Sequence, residues 1–118
     1  MTLTGSETRE LKRRHLIYYL EVYDDATGEM IGHLVDVTPK GIKLVSKKEV
    51  MPDKNFTLGM MLPEEYFKER IIKIEARSMW CRKDVNPEFF ATGFKTYNLD
   101  EEATAMINQL IEQVGFND

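Results

Sequence analysis

Apolar and polar side chains alternate along most of the chain, and near residue 98 the period changes. Over residues 15–23, Leu16, Tyr18, Leu20 and Val22 fall on one side and Ile17, Tyr19 and Glu21 on the other, the two-residue period of a strand. Asp24-Asp25-Ala26-Thr27-Gly28 is hairpin chemistry, and the extended pattern resumes over residues 29–37. Pro39-Lys40-Gly41 then turns the chain, with Gly41 placed to supply a positive φ. A third strand over 42–46 carries Ile42 and Leu44 on one face, and a polar loop runs to residue 55. Phe56, Leu58, Met60 and Leu62 alternate with Thr57, Gly59 and Met61 as a fourth strand, closed by a turn or short helix at Pro63-Glu64-Glu65. The clearest strand spans 70–81, where Ile72, Ile74, Ala76, Ser78 and Trp80 share one side and Lys73, Glu75 and Arg77 the other. That alternation places Trp80 in the core. After a turn at Asp84-Val85-Asn86-Pro87, residues 88–97 form a sixth strand with Phe90, Thr92 and Phe94 on one face.

The last segment is helical. Leu99, Ala103, Met106, Ile107, Leu110 and Val114 recur at helical spacing; Asn98, three residues before Glu101, has the form of a capping box, and Gly115 ends the helix. Acidic residues at 64–65 and 100–102 suit helix N-termini, where they offset exposed backbone N–H groups. Six strands followed by one amphipathic helix predict an all-β fold, a six-stranded antiparallel barrel whose helix packs outside it or across an opening. Residues 1–14 hold too little apolar surface to order themselves and are expected to be a flexible arm, leaving residues 15–118 as the barrel with its C-terminal helix.

Composition narrows the functional class. With 118 residues, 42% of them hydrophobic, the chain can build a single core without staples, and one cysteine, Cys81, excludes an internal disulfide. No apolar stretch approaches the roughly 18 residues of a membrane span, and residues 1–10 lack a signal-peptide core. A cytoplasmic protein without membrane insertion is the expectation. The net charge of −4 argues against binding DNA or RNA through an extended positive surface. Basic charge gathers instead at the N-terminus: Arg9, Lys12, Arg13 and Arg14 against Glu7 and Glu10 make residues 1–14 +2, with −6 on the remainder.

Catalysis finds little support in the residue pattern. Cys81 lies between Trp80 and Arg82 with no histidine following it, His15 and His33 stand outside any metal-ligand spacing, and no nucleophile–base pair emerges. The chain is expected to be neither an enzyme nor a metalloprotein. The candidate chemistry lies in Arg9, Arg13 and Arg14 together with Asp36, Thr38 and Gly41. Guanidinium forks contact phosphate oxygens and the O6/N7 edge of guanine, while a carboxylate, a hydroxyl and a close backbone approach bind a base or position the arginines. The same residues also suit a solvated tail and an ordinary turn; their order along the chain favours a nucleotide site.

That order resembles the PilZ family, whose pattern is Arg-x-x-x-Arg before the first strand and Asp/Asn-x-Ser-x-x-Gly after the second. Arg9 and Arg13 match the first spacing; Asp36, Thr38 and Gly41 match the second, with Thr for Ser. The likeness continues through residues 42–46, Met79-Trp80-Cys81 and Thr92-Gly93-Phe94. It implies a six-stranded barrel that binds cyclic di-GMP and signals to a downstream protein by ordering its N-terminal arm. A second register pairs Arg13 with position 17, which is Ile17 and supplies no guanidinium. In that register the chain is a ligand-independent interaction module of motility, pilus or polysaccharide machinery.

Overall fold

The computed structural model describes residues 20–114. Six strands and a helix follow in order: β1 (Glu21–Asp24), β2 (Met30–Thr38), β3 (Gly41–Ser46), β4 (Asn55–Met61), β5 (Ile71–Lys83), β6 (Phe90–Tyr97) and α1 (Glu101–Val114). The strands close into an antiparallel barrel in the order β1-β2-β3-β6-β5-β4, with β1 paired to both β2 and β4. The fold predicted from alternation is therefore the fold formed, although the part of the first predicted strand before residue 20 lies outside the described residues.

Inward side chains make one core. Val22, Leu34, Leu44, Leu58, Met60 and Ala76 are fully buried, and Ile42, Ile74 and Phe94 nearly so. Burying each such aliphatic side chain contributes about 1.5–3 kcal/mol relative to exposure. The helix joins this core through Ile107 and Leu110, with Leu99, Ala103, Met106 and Ile111 packed around them. It touches β2 and β5, which stand three places apart in the ring, so it lies across one end of the barrel.

The helix begins two residues later than the capping pattern predicts. Asp100, not Asn98, accepts the N–H of Ala103 at 2.8 Å and is the N-cap. Asn98 instead takes a left-handed φ of 58° and donates from Nδ2 to Glu75 Oε1 at 3.1 Å, tying the turn to β5. In the first hairpin the positive φ falls on Gly28, at 80°, whose N–H donates to the Asp24 carbonyl at 2.7 Å. Gly41 is not among the positive-φ glycines. What marks the position is proximity: a Cβ would stand 3.1 Å from the Phe94 carbonyl oxygen on β6, a tight approach that glycine relieves.

The largest departure is Trp80. The β5–β6 register slips by one residue between Ser78 and Trp80, so a bulge at Met79 reverses the alternation. Ser78 remains inward and fully buried, Cys81 becomes the next inward residue, and Met79 and Trp80 both face out. Trp80, expected in the core, is 38% exposed.

Candidate ligand-binding face

The Asp36 to Gly41 turn is built by side chains that satisfy its backbone. Thr38 Oγ1 accepts the N–H groups of Lys40 and Gly41, each at 3.2 Å, so the hydroxyl's own proton remains to donate outward. From β6, Thr96 donates its hydroxyl to the Pro39 carbonyl at 2.5 Å and its N–H to the Lys40 carbonyl at 3.2 Å. The turn is thus fastened to the neighbouring strand as well as to itself.

Asp36 owes its orientation to a second bulge. The β2–β3 register slips between Leu34 and Asp36, which leaves Leu34 and Val37 inward and puts Asp36 on the surface. Asp36 Oδ1 accepts the N–H of Val37 at 2.9 Å, while Oδ2 bonds to no described residue. An exposed carboxylate, a hydroxyl and a backbone fixed close to β6 stand together where the sequence motif put them.

Following the register outward from Asp36 reveals residues that sequence reading missed. Asp36 pairs with Lys43 on β3, Lys43 with Gly93 on β6, and Gly93 with Trp80 on β5. The next row of the same face runs through His33, Val45, Ala91 and Arg82. Lys95 pairs with Gly41 at the turn itself. Lys43, Lys95 and Arg82 therefore lie on the outer face of three adjacent strands, β3, β6 and β5, with Lys40 exposed on the β2–β3 turn, and none forms an ion pair among the described residues. In a chain of net charge −4 this is a local cationic surface. Alternation could have signalled Lys43 and Lys95, whose neighbours on both sides are inward-facing; the bulge hid Arg82.

A groove of about 1000 Å³ opens along the outside of β2 and β3, with Ile31, His33, Val35, Lys43, Val45 and Phe89 in its lining. The half-buried Cys81 Sγ accepts the Val50 N–H at 3.4 Å and the Thr92 hydroxyl at 3.3 Å. On β1, paired with β2, the Tyr23 phenol donates to Glu21 Oε1 at 2.7 Å. That bond, with smaller contributions from desolvation and the carboxylate's charge, raises the phenol above its ordinary pKa of 10.0. Among the described residues, no group of three or more His, Cys, Asp or Glu side chains is gathered to hold a metal, and no helix is long and apolar enough to cross a membrane. Arg9, Arg13, Arg14 and position 17 lie outside the described residues.

A closed six-stranded barrel whose β2–β3 turn carries this motif defines a PilZ-type domain. The PilZ domain profile matches residues 7–113, and the chain belongs to the PilZ family. Among solved structures, the chain is similar to the Bacillus subtilis inhibitor of motility, MotI/DgrA, with a TM-score of 0.60 and 19% identity. The match covers 80% of this chain and 46% of that one, so this chain spans less than half of its structural neighbour. A search of curated proteins finds no match.

Proposed function

We propose that this protein is a cytoplasmic cyclic di-GMP receptor that acts as an adaptor: the ligand ties Arg9, Arg13 and Arg14 to the Asp36, Thr38 and Gly41 turn, and the rearranged N-terminal segment signals to a partner protein. The observation that carries this reading is the turn itself. Thr38 and Thr96 hold it in one conformation, which presents Asp36 across from Lys43, with Lys40 on the turn and Lys95 paired to its Gly41. A rigid acceptor within a cationic field suits a ligand that combines guanine donors with two phosphates, because neither group needs to reorganise the barrel on binding.

Calorimetric titration with cyclic di-GMP, using GTP and cyclic di-AMP as controls, tests the reading. Saturable heat is expected with cyclic di-GMP alone. Asp36→Ala and Arg13→Ala should each weaken binding at least tenfold, about 1.4 kcal/mol, while leaving the thermal unfolding midpoint near that of the parent. Saturating ligand should also protect residues 5–14 from proteolysis. Absence of heat would favour the ligand-independent interaction module, with Ile17 standing where the second guanidinium is needed.

A further inference from the structure

The groove outside β2 and β3 extends away from the Asp36 to Gly41 turn, toward the start of β2 and the end of β3, and the ligand reading does not use it. Its apolar floor follows from two slips in the pairing of β2. Ile31 has no counterpart on β1 and Val35 none on β3, and both line the groove with Val45 and Phe89. Lys47 and Lys48 edge it just past β3, where the Ser46 hydroxyl donates to the Lys48 carbonyl at 2.7 Å and fixes the chain. Both lysines are exposed, and neither forms an ion pair among the described residues. With Lys43 they outnumber the two acids of the lining, Glu29 and Asp84.

The β5–β6 turn borders the same groove through Asp84, Asn86 and Phe89. It is fastened internally. The Asp84 N–H donates to the Phe89 carbonyl and the Phe89 N–H to the Asn86 carbonyl, each at 2.9 Å, and the Glu88 N–H donates to Asn86 Oδ1 at 3.1 Å. Val85, at the tip, is 99% exposed and stands outside the lining that its neighbours Asp84 and Asn86 supply. Residues 84–89 carry two acids and no base. A fixed loop therefore holds a bare aliphatic side chain in solvent with negative charge around it.

We propose that a second copy of this chain occupies the groove, the β5–β6 tip of each copy seating in the groove of the other. Apolar surface and charge both match. Val85 covers the floor made by Ile31, Val35 and Val45, and Asp84 and Glu88 approach Lys47 and Lys48. Tip and groove are neighbours within one chain, so a two-fold axis between them exchanges tip for groove in both directions and closes an isologous dimer. Reciprocity doubles the contact one tip could make, toward the roughly 800 Å² per partner that a stable interface buries. The turn's own hydrogen bonds limit the freedom lost on docking.

Sedimentation velocity of the full chain without nucleotide, across the micromolar range, should show a species of twice the 13.8 kDa of one chain that grows with concentration. Val85→Asp should weaken association at least tenfold while keeping the parent's circular dichroism. A chain carrying Lys47→Glu and Lys48→Glu, and another carrying Glu88→Lys, should each associate as weakly. Mixing those two chains should restore the dimer, because every tip then meets a groove of opposite charge. A parent that stays monomeric throughout would overturn the proposal, as would a parent-like dimer in Val85→Asp or a mixture that associates no better than its components. None of these measurements involves cyclic di-GMP, so the receptor reading stands or falls separately.

Discussion

The β2–β3 and β5–β6 pairings each contain one extra residue, Val35 on β2 and Met79 on β5, and the two bulges are held in different ways. In β2 the slip falls between Leu34 and Asp36, and apolar burial flanks it on both sides: Leu34 is fully buried and Val37 nearly so. In β5 the slip falls beside Ser78, a fully buried polar residue whose hydroxyl donates to the Met51 carbonyl at 2.7 Å and accepts the Lys54 N–H at 3.0 Å. Its backbone adds two more bonds to the same loop, from Asp53 N–H at 2.7 Å and to the Lys54 carbonyl at 2.9 Å. One bulge is thus set by the core and the other by a hydrogen-bonded loop. Both deliver a functional candidate to the surface, Asp36 in the first case and Trp80 in the second.

Leu34→Ala tests the apolar anchor and should have the larger effect, a loss of about 2–5 kcal/mol of stability from the cavity left in the core. Ser78→Ala should cost about 1–3 kcal/mol, because the Met51 carbonyl and the Lys54 N–H lose their buried partner. Denaturant midpoints measure both. A cost below about 0.5 kcal/mol for Ser78→Ala would mean that the loop does not hold the β5 bulge, and the contrast would collapse. It should also move the tryptophan emission, which Leu34→Ala should leave nearly unchanged.

A third irregularity, where the β1–β2 register slips between Val22 and Tyr23 and leaves Ile31 of β2 as the extra residue, lies beside the smallest effect. The folded phenol of Tyr23 titrates above its ordinary value of 10.0, so the stability gained from its bond to Glu21 is present below about pH 10 and lost as pH rises through the raised folded pKa. Tyr23→Phe should therefore flatten the alkaline limb of the stability curve and leave neutral behaviour nearly intact. An unaltered alkaline limb would show that the Tyr23–Glu21 bond contributes no pH dependence.

Alternation made β2 to β6 legible because residues on a pleated strand facing a single core must repeat every two positions. It failed where one residue was inserted, since a bulge has no compositional mark: Met79 resembles any other strand residue, and only the pairing with β6 reveals it as extra. The helix start was ambiguous for a related reason. Asn98 and Asp100 are both capping residues by type, and the choice was made by Glu75, distant in sequence, which engages Asn98 and leaves Asp100 to cap. Asp36, Thr38 and Gly41 were legible as a motif, though the role of Gly41 in close packing depends on β6. Arg82 and Lys95 were not grouped with them, because the strand order β2-β3-β6-β5 that assembles the face joins segments distant in the chain.

Closure of the sheet restricts how a partner can recognise the barrel. Because β1 pairs with both β2 and β4, the described strands close into a ring, and over that paired stretch no flank is free for an incoming segment to add as another strand. Main-chain pairing, the least sequence-selective mode of attachment, is thereby withheld. A segment docking over that closed stretch must read side chains, so its fidelity rests on the pattern of charge and shape on the outer wall.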